Sequence, residues 1–381
     1  MRDTTGMTEP QFRVGVIGCG RKGTVHARSY DLDPRATIVA GADTDRENLD
    51  LFCERFNVPG YDSYEEMVKQ EGIDIALPIL PVSPNAEIVI RCARLGVKGI
   101  GCEKPMAASL AQADEMVAQC RAHDVALAVG DLDVNLPHYA RAREYINSGS
   151  IGEIRTINLM MGSGAQLSGG HIQQFSLARY FAGGADVDWV FGWVNGDPHS
   201  DEDQGGAGYI RFANGVEAFM DRQDTARYGF ELRCAGGTVV SDYRHVQIWK
   251  VVADDGPTKR TFERVEGVVP ESELYEGSKT YDANGWRVFP RNNATARNLI
   301  DAIENGTEPA GSGDNGRKAL EIAIAMRESH RRGHVPVHCP LPDRSMRIVP
   351  SDSRNFSKKQ TRDRDAYMAG LRAQKVDPAT R

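Results

Sequence analysis

Val14-Gly15-Val16-Ile17-Gly18-Cys19-Gly20-Arg21-Lys22-Gly23 is an apolar run that breaks into three glycines spaced G-x-G-x-x-G. The run reads as a buried strand and the glycines as its turn into a helix, the context in which this motif signals a dinucleotide site. Gly18 allows the tight turn, Gly20 lets backbone approach a pyrophosphate, and Gly23 lets the helix pack closely on the strand. Arg21 and Lys22 fall inside the motif, at the positive helix end that favours phosphate. Asp43 follows the second apolar run, Ala36–Ala42, and lies 20 residues beyond Gly23. An acidic side chain there accepts hydrogen bonds from the adenosine ribose and repels a 2′-phosphate. NAD is therefore the expected cofactor, and nearby Arg46 leaves NADP open.

Outward from this motif, short apolar runs alternate with amphipathic stretches, the pattern of a parallel sheet covered by crossover helices. Strands are expected at Phe12–Ile17, Ala36–Ala42, 73–80, 97–102 and 125–130, and helices at Arg46–Phe56, 86–95, 110–123 and 139–148. Residues 11–152 thus form a Rossmann domain. The texture then changes to β-rich runs at Ile154–Met161, Val187–Val194, 209–220, 230–234 and 246–252, which predict a large, mostly antiparallel open sheet. Asn214-Gly215 predicts a tight hairpin, since both residues tolerate positive φ, and Gly236-Gly237 a second turn. Helices follow at 294–304 and 317–332. The fold class is α/β followed by α+β, with 153–342 as a substrate-binding and oligomerisation domain and 343–381 as a polar C-terminal arm.

The composition narrows the function classes. A 381-residue chain that is 40% hydrophobic and 26% charged is an ordinary globular one. A net charge of −7 argues against nucleic acid, which selects basic surfaces. The basic stretch 354–372 is interleaved with Asp363 and Asp365 and reads as solvated. Seven scattered cysteines form no C-x-x-C pair and read as reduced thiols. The first ten residues hold no apolar signal core and no stretch approaches a membrane span, so the cytoplasm is expected. His199-Ser200-Asp201-Glu202-Asp203 reads as a solvated loop, since consecutive residues converge poorly on one ion, and no metal is expected. The glycine-rich run 311–318 reads as a helix N-terminus.

Gly101-Cys102-Glu103-Lys104-Pro105 resembles the signature of the glucose–fructose oxidoreductase / inositol dehydrogenase / rhizopine catabolism (Gfo/Idh/MocA) family. The resemblance extends through Asn147-Ser148-Gly149-Ser150-Ile151-Gly152-Glu153-Ile154, Gly208-Tyr209-Ile210-Arg211-Phe212-Ala213-Asn214-Gly215 and the helix ending at Gly333. It implies an oxidoreductase moving hydride between nicotinamide C4 and a carbinol carbon of a sugar, sugar derivative or cyclitol, in a homodimer or homotetramer. Lys104 then lies beside the nicotinamide and donates to the reacting hydroxyl, where an ammonium stabilises a developing alkoxide. Pro81, Asn85 and Glu103 join it on the cofactor side, and Asn135 on the substrate side.

The resemblance breaks on the helix that opens the second domain. Gln173 stands where the family has its histidine and Ser176 where it has an aspartate, while a further family aspartate falls on Gly169. Gln173 can orient a hydroxyl but has no proton to exchange near neutral pH. His171, two residues earlier, is the candidate substitute, with a capping role as the alternative. These departures leave open a redox-neutral, NAD-assisted elimination or glycosidic cleavage and a non-enzymatic dinucleotide sensor.

Overall fold

The computed structural model describes residues 11–350 except 131–132, 162–165, 223–227, 243–244, 257–258, 270–279, 282–286 and 289. The expectations for the first ten residues and for 351–381, including the basic stretch, lie outside the described residues.

The first unit runs β1 (Phe12–Ile17), α1 (Arg21–Asp31), β2 (Ala36–Ala42), α2 (Arg46–Phe56), β3 (Gly60–Tyr61), α3 (Tyr64–Glu71), β4 (Ile75–Pro78), α4 (Val82–Arg94), β5 (Gly99–Cys102), α5 (Leu110–Ala122) and β6 (Ala126–Val129). Its sheet is wholly parallel, in the order β3-β2-β1-β4-β5-β6. Helices cover both faces, so strands such as Val14–Ile17 and Ile75–Pro78 are continuously buried rather than alternating. Asp45, Ser63 and Ser109 cap α2, α3 and α5 by accepting from backbone N–H groups of the first turn. The order reverses direction beside β1, which places a ligand crevice at the carboxyl ends of β1 and β4.

A 3₁₀ turn (Asp133–Asn135) and α6 (Pro137–Asn147) lead into β7 (Ile154–Met161), α7 (His171–Phe181), β8 (Val187–Val194), β9 (Gly206–Phe212), β10 (Glu217–Arg222), β11 (Gly229–Cys234), β12 (Gly237–Ser241), β13 (Val246–Asp254) and β14 (Arg260–Val265). A small pair, β15 (Thr280–Tyr281) and β16 (Arg287–Val288), precedes α8 (Pro290–Asn305), α9 (Gly313–Arg331) and β17 (Val337–His338). The nine-stranded sheet has the order β14-β13-β12-β11-β7-β10-β9-β8-β17, antiparallel except where β7 meets β10. The β9–β10 hairpin turns at Asn214-Gly215 as expected: Gly215 is left-handed (φ 89°), and Phe212 and Val216 close a three-residue loop.

Two later segments return to the Rossmann sheet. Helix α8 packs on α1, β5 and β6, with Leu299 and Ile300 sharing a core with Val14, Val16 and Leu77. Helix α9 is capped by Ser312, begins against β6 and α5, and continues across β8. Residues 344–349 then run between the two units: Leu110 and Ala111 donate to the carbonyls of Met346 and Arg344, and Val349 donates to Asp201. All seven cysteines are free, and no helix among the described residues is long and apolar enough to cross a membrane.

Candidate active site

The glycine loop follows β1 as a close-packed cradle. Gly18 has φ 93°, and a Cβ on it would come within 2.5 Å of the Ile79 carbonyl, so the turns after β1 and β4 touch. A Cβ on Gly23 would lie 1.9 Å from the Gly18 carbonyl oxygen, a distance that only glycine avoids. Helix α1 starts at Gly20 with no side-chain cap and no acidic residue in its first turn, leaving its N–H groups and positive dipole end for an anion. Asp43 closes the cradle: Oδ2 accepts from Cys19 N–H at 2.7 Å and Oδ1 from Asp45 N–H at 2.8 Å. A carboxylate has about four lone-pair positions, so ribose hydroxyls can still be accepted. Arg46 turns its guanidinium to Asp50 at 2.9 Å and Asp62 at 3.8 Å. These residues fit a nicotinamide dinucleotide without a 2′-phosphate.

Lys104 follows β5 on the same sheet edge, with a cis bond to Pro105. Its Nζ donates to the Gly169 carbonyl at 3.5 Å, which brings the Rossmann edge against the loop that opens α7. Glu103 supports it: Oε2 accepts from Lys104 N–H at 3.1 Å, and Oε1 lies 3.2 Å from Nε2 of the buried His26 on α1. Burial alone would raise the Glu103 carboxyl, but the His26 hydrogen bond and the Lys22 and Lys104 charges outweigh it and hold the group well below the usual carboxylate range. Pro81 precedes α4 as its N-cap, and Asn85 is buried, donating to the Met106 carbonyl at 2.8 Å. Asn85 thus braces the turn that follows Pro105.

On the facing side, His171 opens α7, 5% exposed, with Nδ1 meeting no partner among the described residues. Burial lowers its pKa to about 4, so the imidazole is neutral at pH 7. Gln173 Oε1 accepts from Asp133 N–H at 3.0 Å. Asn135 donates to Thr295 on α8 at 2.9 Å, and its enclosed Oδ1 has no donor among the described residues. Ser176 is fully buried and accepts from Asn315 Nδ2 at 2.5 Å, which ties α7 to α9.

Several residues of this region were not singled out from the sequence. Asp133, fully buried, accepts from Arg291 of α8 at 2.8 Å and from the Tyr228 hydroxyl at 3.3 Å. Burial first, and the Asp133 charge second, push the Tyr228 phenol far above its ordinary range. No motif marks these positions, which are gathered from three separate segments. Asp203 is a further correction: it is 3% exposed rather than solvated and holds Ser168. Among the described residues no group of three or more His, Cys, Asp or Glu side chains is arranged for a metal.

The profile of an oxidoreductase family with an NAD-binding Rossmann fold, Gfo/Idh/MocA, matches residues 12–131. Myo-inositol 2-dehydrogenase of Thermotoga maritima is 27% identical over 342 residues, spanning 84% of this chain and 96% of that protein. The first unit of the chain thus matches the Gfo/Idh/MocA family, and the similarity to the inositol dehydrogenase runs through both units. Another relative, scyllo-inositol 2-dehydrogenase (NAD⁺) of Bacillus subtilis, is 24% identical over 85% of this chain and 96% of its own length. A levoglucosan dehydrogenase structure in complex with NADH and levoglucosan shares the two-unit fold, with TM-score 0.70 at 22% identity over 87% of this chain and 100% of that one. Glu103-Lys104-Pro105, the stretch that resembles the family's signature, lies at the carboxyl end of β5 and inside the matched residues.

Proposed function

We propose that the chain is an NAD-dependent dehydrogenase that interconverts a carbinol of a sugar, sugar derivative or cyclitol and the corresponding ketone, working in the cytoplasm. The observation that carries this reading is the position of Lys104: its ammonium stands on the same sheet edge as the Gly18–Gly23 cradle and reaches the loop before α7. Bound in that cradle, NAD supplies the acceptor for the hydrogen that leaves carbon with its electron pair.

The protein's own part is to hold the carbinol and manage its proton. Lys104 donates to the carbinol oxygen and stabilises the negative charge that grows as the O–H proton passes to water. Asn135 Oδ1 and His171 Nδ1 are enclosed polar atoms with no partner among the described residues, and a polyol hydroxyl that reached either would supply the missing donor. Gln173 is committed through its oxygen to the Asp133 backbone, so it shapes the pocket and does not exchange protons.

The test is a panel of polyols and keto-sugars with each nicotinamide, following NADH absorbance and product mass together. Net NADH formation matched to ketone product is expected. Product formed without net change in NADH would replace this reading with redox-neutral cleavage, and binding of NAD without any product across the panel would replace it with a sensor.

A further inference from the structure

The acidic loop at 199–203 contains one residue that the chemistry above does not use. The enclosed Asp203 carboxylate accepts two hydrogen bonds from Ser168, from N–H at 3.1 Å and from Oγ at 2.6 Å. The Asp203 carbonyl accepts from Gln166 Nε2 at 3.1 Å, and Leu167 N–H donates to Gln204 at 2.9 Å. Three consecutive residues just before Gly169 are thus fastened to one strand end.

Asp203 is itself held from the other side. Its N–H donates to the Val349 carbonyl at 2.8 Å, Val349 N–H returns to Asp201 at 2.7 Å, and Ile348 N–H donates to Ala108 at 2.9 Å. Arg344 secures this strap to the Rossmann side with bonds to Asp114 at 2.7 and 2.8 Å. Ala108 lies just beyond Lys104-Pro105. A continuous series of hydrogen bonds therefore joins the segment carrying Lys104 to the loop whose Gly169 carbonyl meets Lys104 Nζ.

We propose that Asp203 is a positioning residue of the catalytic site, mooring the 166–170 loop so that Gly169 and His171 face Lys104 across the cleft. Burying a carboxylate is costly unless donors compensate it, and here the donors belong to the active-site loop. That makes loop order and Asp203 burial one event. The assignment rests on the reading of Lys104 as the reacting ammonium, while the mooring itself does not.

The experiment compares Asp203→Ala, Asp203→Asn and Ser168→Ala with the wild-type full chain by amide hydrogen exchange, NAD titration and turnover. Asp203→Ala should speed exchange across 166–171 by about tenfold or more, leave 12–31 protected, and leave NAD affinity within about twofold. With any substrate that turns over, kcat should fall at least about tenfold. Asp203→Asn keeps the shape, an acceptor for Ser168 N–H and a donor for its hydroxyl, and should restore most of both. Unchanged exchange at 166–171 in Asp203→Ala overturns the mooring whether or not a substrate is known. Faster exchange with unchanged kcat and KM overturns the catalytic consequence. If Asp203→Ala does not fold, Ser168→Ala decides in its place: it removes the hydroxyl bond alone, and exchange equal to the wild type would overturn the proposal.

Discussion

Asp43 Oδ2 accepts the backbone N–H of Cys19 at 2.7 Å, so the carboxylate at the end of β2 and the middle of the glycine loop after β1 form one rigid corner. The same carboxylate accepts Asp45 N–H at 2.8 Å, which fixes its plane before any ligand arrives. A preset acceptor of fixed charge discriminates by what it repels as well as by what it binds.

The expected outcome is tight NAD binding and weaker NADP binding. Hydrogen bonds to a charged group contribute about 1.5–3 kcal/mol, so Asp43→Ala should lower NAD affinity about tenfold or more and narrow the preference over NADP. Asp43→Asn, which keeps the acceptor for Cys19, separates the charge from the loop anchor. Calorimetric titration of both nicotinamides reads the result, and NADP bound better than NAD by the wild type would contradict it.

The buried His171 makes a pH prediction with a definite sign. Burial lowers its pKa to about 4 in the folded chain, against about 6.5 when exposed, so the unfolded state binds the extra proton between these values. Stability should therefore fall as pH drops from about 6.5 to about 4, by up to about 3 kcal/mol from this residue. Urea unfolding at pH 7 and pH 5 should show that loss in the wild type and less of it in His171→Gln. The same low pKa predicts a kcat/KM profile with no His171 inflection near pH 6.5.

The parts of this site that were legible in the sequence are those whose cause is local. The β1–glycine–α1 unit, Asp43 and Lys104 each sit where strand periodicity or a short motif defines the position, and the structure has them at strand carboxyl ends. Short elements were missed because they carry too little pattern: α3, β3 and β17 among them. The edge strand β14, all but its last residue exposed, lacks the apolar face that would mark it. Long-range returns were also invisible. Nothing in 290–305 says that Leu299 completes the Rossmann core, and Asp203 looked solvated because its donors lie some 35 residues earlier. The bond from Asn315 to Ser176 was equally out of reach, because alignment to a family position says nothing about a neighbour 139 residues away.

One face of the nine-stranded sheet carries Trp189 stacked on Tyr209 at 5.0 Å, Phe219 edge-on to Tyr209 at 4.8 Å, and exposed Trp193. An aromatic face of this kind is costly to leave in water. We expect a homodimer or homotetramer that buries it, built on closed symmetry. Light scattering at micromolar concentration should give a multiple of the 41.8 kDa chain mass, and Phe219→Glu should shift it toward the monomer. A monomeric wild type would remove the prediction.

The decisive substitution is Lys104→Met, which keeps most of the side-chain length and removes the ammonium. Glu103 is held by His26 and by the Lys104 backbone N–H, so the turn after β5 keeps its main fastenings when the charge is lost. The Asp43 corner and the α1 cradle do not depend on Lys104, and NAD affinity should stay close to the wild-type value. Turnover should not. Removing a donor that stabilises developing charge in a water-poor site costs about 3 kcal/mol, or roughly a hundredfold or more in kcat. His171, neutral and weakly basic, cannot replace an ammonium at neutral pH. The measurement is kcat and NAD dissociation constant, side by side, for wild type and Lys104→Met on any polyol that forms NADH. Equal turnover in the variant would leave the fold and the cofactor site standing and remove Lys104 from the chemistry.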